Sequence, residues 1–135
     1  MKKIFGLLTA LLVAVACMTF TSCATDNDGE PAGPSLTGWF ISGDFNSWGP
    51  TALTQNGAVY TATFTANGIT ESDFMVRNSD WTSKYCNATQ FVVGVPAVLK
   101  AGGDNAHFTG LENGESYTVT VASLPAFVTV TITKN

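Results

Sequence analysis

The chain has 135 residues, a formal net charge of −4 and only 12 % charged side chains, which fits a single folded domain once any targeting segment is set aside. Six Lys and Arg in all cannot neutralise a run of phosphates, which excludes nucleic acid as a partner, and they offer no basic patch to an anionic membrane surface. Threonine, valine, glycine and phenylalanine are prominent, and β-branched and aromatic residues suit pleated, half-buried strands.

The chain opens with Met1-Lys2-Lys3, an almost unbroken apolar run from Ile4 to Ala16, and then Thr19-Phe20-Thr21-Ser22-Cys23. A short basic start, an apolar middle and small residues ending in a cysteine read as a lipoprotein signal peptide over residues 1–22. The run is short for a membrane-spanning helix. Cys23 is the expected lipidated residue, with Cys17 as the alternative cleavage site. Residues 23–135 keep four basic and all ten acidic side chains, for a net charge of −6, and Cys86 becomes a free thiol with no partner for a disulfide.

Residues 23–35 (CATDNDGEPAGPS) are polar, acidic and rich in Gly and Pro, and they predict a flexible tether. A calcium loop fails here, because aligning Gly29 with the loop glycine puts Ala24 and Ser35 at positions that need ligand oxygens.

From residue 36 the sequence alternates, and the expectation is one all-β domain over 36–135. Thr37 to Gly43 predicts a strand with Trp39 and Ile41 on its core face. Asn56-Gly57 predicts a hairpin into Val59–Ala66, where Tyr60, Ala62 and Phe64 share a face. Phe74 and Val76 alternate with Met75 and Arg77, which puts Arg77 on the face opposite the apolar pair. Tyr117, Val119 and Val121 alternate with threonines, as do Val128, Val130 and Ile132. A period of two with threonine on the outer face is the pattern of an antiparallel sandwich. Turn signals at Asn67-Gly68, Gly102-Gly103 and Asn113-Gly114 separate the strands.

Two polar stretches, Asp44 to Thr51 and Ser79 to Ala88, carry Trp48, Trp81 and Tyr85. Large aromatics in such loops are candidate functional residues. Each also has a packing alternative. Trp48 could lie against Pro50, and Trp81 could close the end of the sandwich. Arg77 could pair with Asp80, Asn105 could brace the Gly-Gly turn, His107 reads as an ordinary strand residue and Cys86 as a small buried apolar group.

Gly43-Asp44-Phe45-Asn46-Ser47-Trp48 resembles the G-x-F-N-x-W motif of glycogen-binding, early-set immunoglobulin-like carbohydrate-binding modules. The ordered set from Phe74-Met75-Val76-Arg77-Asn78 through Trp81, Tyr85, Gly102-Gly103-Asp104-Asn105 and Gly114-Glu-Ser-Tyr117 resembles the domains of SusE/SusF-type starch-binding outer-membrane lipoproteins. The resemblance spans residues 37–134 and implies an early-set immunoglobulin-like β-sandwich. It also implies a lipid-anchored location on the outer membrane facing the cell exterior, as part of an outer-membrane transport complex. It implies a starch-like α-glucan ligand held by Trp48 with Tyr85 or Trp81, with Arg77 bonding hydroxyls and Asn105 or Lys84 adding polar contacts. Those lipoproteins usually carry two or more such domains, where this chain carries one.

The chemistry matches this assignment. A pyranose presents a C–H face suited to an aromatic ring and a hydroxyl rim suited to charged or amide groups. No Gly-x-Ser-x-Gly, His-Glu-x-x-His or Cys/His cluster points to an enzyme or a cofactor. Asp44, Asp80 and Asp104 are not marked as a glycosidase pair. The competing function is a non-glycan adaptor within an outer-membrane complex.

Overall fold

The computed structural model describes residues 33–86 and 88–135. The signal peptide, Cys23 and most of the tether lie outside the described residues. The described part is all-β, with no α-helix among the described residues. Eleven strands form one sheet in the order β2-β1-β5-β6-β8-β11-β10-β4-β3, with β9 joining β5 to β7. The strands are β1 (Phe40–Gly43), β2 (Thr51–Ala52), β3 (Thr54–Asn56), β4 (Val59–Thr65), β5 (Glu71–Arg77), β6 (Lys84–Cys86), β7 (Phe91–Val92), β8 (Ala97–Ala101), β9 (Ala106–Thr109), β10 (Ser116–Ser123) and β11 (Phe127–Lys134). All pairings are antiparallel except β7 with β9. The two end strands, β2 and β3, are separated in the chain only by buried Leu53. The sheet is therefore curled almost closed, an arrangement consistent with a β-sandwich.

The long strands follow the alternation in the sequence. In β4, Tyr60, Ala62 and Phe64 are buried; in β10, Tyr117, Val119 and Val121; in β11, Val128, Val130 and Ile132. The β3–β4 hairpin forms with Asn56 opposite Val59, so its two loop residues are Gly57 and Ala58 rather than Asn56 and Gly57. Gly57 has φ +62°, a value that a side chain tolerates poorly and glycine adopts freely. The core is aromatic along its length. Phe45 stacks on Phe64 at 4.3 Å between centroids, Phe64 on Tyr117 at 5.5 Å, and Phe74 meets Phe108 edge-on at 5.3 Å. Pairs of this kind are each worth about 0.5–1.5 kcal/mol beyond the area they bury.

Strand β5 departs from the one-sided pattern. Phe74 and Val76 face the core as expected, but Met75 and Arg77 on the other face are buried as well, with Arg77 only 3 % exposed. β5 is paired along its length, with β1 on one side and β9 and β6 on the other. On its outer face the Trp81 ring covers Arg77. The expectation that Arg77 faces solvent is thereby corrected.

Gly33 to Ser35, which the sequence assigns to the tether, are bonded to the domain. The Gly33 amide donates to the Ser123 carbonyl, and the Ser123 hydroxyl donates to the Pro34 carbonyl at 2.7 Å. A Cβ on Gly33 would sit 2.4 Å from the Leu124 backbone, so this close approach requires glycine.

Candidate functional site

The first aromatic loop is a hydrogen-bonded knot. Asp44–Asn46 make one 3₁₀ turn directly after β1. The Asn46 side chain accepts from the Gly43 amide at 2.9 Å and donates to the Ile41 carbonyl and to Thr51 Oγ1. It thus ties the end of β1 to the start of β2. The Asp44 carboxylate accepts from the Trp48 indole N–H at 3.1 Å and from the Asp73 amide at 2.8 Å. A Cβ on Gly43 would meet the Asp73 carbonyl at 2.4 Å and the Phe74 Cβ at 2.8 Å. Each marked residue of the Gly43-Asp-Phe-Asn-Ser-Trp48 segment therefore has a structural task, and Trp48 itself is half-buried with its N–H committed.

The second loop presents its aromatic outward. Trp81 is 47 % exposed and sits at φ +65°. Asp80 stabilises this turn, with its Oδ1 accepting from the Thr82 amide and hydroxyl, while Asn78 bridges to Thr82 and Ser83. Those bonds hold the Asp80 carboxyl below its usual range, the Thr82 hydroxyl contributing most and its amide next. Under the indole lies Arg77, its guanidinium carbon 3.8 Å from the ring centroid of Trp81 and 5.4 Å from that of Phe40. Arg77 Nε donates to Ser42 Oγ at 2.8 Å and Nη1 to the Asn78 carbonyl at 2.9 Å. Among the described residues Arg77 makes no ion pair, with Asp80 or any other acid. Burial accordingly pulls its pKa down. Its task here is to position Trp81, not to reach a ligand itself.

Ser42 links the two loops, accepting from Arg77 and donating to the Gly49 carbonyl at 2.8 Å. Trp48 and Trp81, on either side of this link, are both non-glycine residues in the left-handed region, as is Ser47. A bulky residue there is an outlier that costs of order 1–3 kcal/mol, and such strain gathers at binding sites.

Trp81 forms one wall of a groove of about 480 Å³ that is also lined by Trp39, Thr82, Ser83, Lys84 and Tyr85. Tyr85 lies on β6, not in a loop, opposite Val76 in register. It stacks on Trp39 with centroids 5.5 Å apart and planes at 30°. Trp39, expected in the core, is half-buried and packs on the core with one side while lining the groove. Of the residues marked by sequence, the groove unites Trp81, Tyr85 and Lys84, with Arg77 behind Trp81. Trp48 and Asn105 are not among its lining residues, and Asn105 is exposed beyond the Gly102-Gly103 turn.

Elsewhere, a groove of about 740 Å³ between Ala88 and Lys100 exposes Val92, Val95 and Val98. On β5 and β9, His107 Nδ1 lies 2.6 Å from Asp73 Oδ1. Among the described residues no three His, Cys, Asp or Glu side chains are placed to hold a metal ion. Cys86 is buried, its thiol donating to the Gly102 carbonyl at 3.0 Å. Comparison with protein-family models, curated proteins and solved structures found no match to this chain.

Proposed function

We propose that this protein is a non-catalytic, surface glycan-binding lipoprotein whose domain is an early-set immunoglobulin-like sandwich. It is anchored through Cys23 to the outer membrane and faces the cell exterior. The observation that carries the reading is the exposed Trp81 ring, braced from behind by Arg77 and opening onto a groove whose other wall is the stacked Trp39–Tyr85 pair. A half-exposed ring backed by a buried cation offers a sugar an apolar surface at little cost in ordering. Thr82, Ser83 and Lys84 supply donors for the hydroxyl rim. The sequence resemblance names starch-like α-glucan as the first ligand to test.

Affinity electrophoresis and calorimetry of the chain against a panel of glycans, α-glucans included, test this. Retardation that disappears in Trp81→Ala supports it, and no retardation by any glycan overturns it.

A second reading, an adaptor subunit of an outer-membrane transport complex, is favoured by the exposed valines at 92, 95 and 98. An apolar patch on a soluble face is a common docking feature. A pull-down from solubilised membranes that returns the chain alone counts against it.

A further inference from the structure

Lys84 is the charged side chain that lines the groove beside Trp81, on a domain that is otherwise acidic, while Lys100 lines the neighbouring groove and Arg77 lies buried behind the indole. Opposed residues of an antiparallel pair share a face, and side chains two apart on a strand do too. Arg77 opposes Lys84, and Cys86 opposes Lys100. Arg77, Lys84 and Lys100 therefore stand on the same outer face of three adjacent strands, β5, β6 and β8. Among the described residues none of the three has a carboxylate within salt-bridge distance, whereas Lys134, on the next strand β11, is paired with Glu112 and Glu115. No Asp or Glu lines the groove, and the nearby Asp80 is turned to Thr82.

We infer that the groove takes a glycan bearing negative groups, a carboxylate or a sulfate, with Lys84 as the residue that contacts the acidic group and Trp81 as the ring beneath the sugar. This rests on the glycan-binding reading and narrows its ligand class away from a neutral α-glucan. Uncompensated cations left on one face of a net-negative protein gain from an anionic partner, and a charge-assisted hydrogen bond is stronger than one to a neutral hydroxyl. Arg77 adds its field from behind the indole without touching the ligand.

The test is a binding titration of the full chain with amylose (neutral), polygalacturonate (carboxylate) and dextran sulfate (sulfate) at low and at physiological salt. The expected result is preference for one or both acidic polymers, weakening with salt, and a loss of about twofold to fivefold in Lys84→Gln, the size of one exposed charge interaction. Amylose binding should fall less in Lys84→Gln than acidic-polymer binding does, and acidic-polymer binding should not change in Lys134→Gln. Binding of polygalacturonate alone assigns a carboxylate, and of dextran sulfate alone a sulfate; either supports the inference. Amylose binding as tightly as both acidic polymers overturns it while leaving the glycan-binding function standing. Equal losses in Lys84→Gln and Lys134→Gln overturn it as mere bulk charge. Binding of no polymer removes the glycan function itself.

Discussion

The Arg77 guanidinium lies 3.8 Å from the ring centroid of Trp81, one residue almost wholly buried and the other half in water. The exposed ring thus has a rigid backing, and the buried cation has a lid. A stacked cation of this kind is worth about 0.5–2 kcal/mol, more as it is desolvated.

Arg77→Lys keeps the charge but loses the planar stack and the Nε bond to Ser42. The expected cost is about 1–2 kcal/mol of stability, read by urea unfolding. Weakened glycan binding should accompany it, because Trp81 loses its support. Unchanged stability and binding would show that the stack is incidental.

The two loop tryptophans should separate by phenotype. Trp81→Ala should abolish binding with only about 1 kcal/mol of destabilisation, because the ring is exposed. Trp48→Ala should leave binding within about twofold and act on stability instead. Because Trp48 sits at φ +62°, Trp48→Gly should be more stable than Trp48→Ala by about 1 kcal/mol. Parallel calorimetry and thermal melts decide it.

Asn46→Ala should cost about 2–3 kcal/mol, since three side-chain bonds are lost at a partly buried turn. Asn46→Asp should not rescue it. The new oxygen would face the Ile41 carbonyl, where an N–H now donates. Chemical denaturation of both variants against wild type checks the ranking.

Asp80 gives an acid-side signature. Its carboxyl is held below 3.8 by the Thr82 bonds, so the stabilisation it contributes is fully present above that pH and is lost as pH falls through the lower, folded value. Asp80→Asn should therefore be less stable than wild type at neutral pH, with the gap closing below pH 3.8. A gap that stays constant with pH would place the effect elsewhere.

The parts of the fold readable in the sequence are those with one wet face. In β4, β10 and β11 the alternation of Tyr60, Val119 or Val130 with threonine reports directly which side is buried. β5 misleads for a physical reason: a period of two says that the faces differ, not that one is solvated. Arg77 reads as a surface residue by composition, yet its planar head is satisfied by Ser42, Asn78 and two aromatic rings. The three-residue β6 hides in a polar stretch, because Lys84-Tyr85-Cys86 is too short to show a period. Tyr85 is therefore misplaced to a loop. Trp39 escapes notice as a groove residue because alternation with Ile41 marks it as core, whereas it sits just ahead of β1 and is only half-buried. Trp48 stands out by motif, but the hydrogen bonds that occupy Asp44, Asn46 and its own indole appear only once the turn is built.

Leu53 is a hinge between opposite margins of the sheet: the residues before it pair with β1 and those after it with β4. Covalent continuity does there what a hydrogen-bonded ladder does elsewhere, so neither margin is left as a long bare template on which a neighbouring chain could align. That seam keeps a threonine-rich β protein from recruiting its own copies into a growing ribbon. An extra residue inserted beside Leu53 would let the margins part, and self-association rather than unfolding would be the first sign.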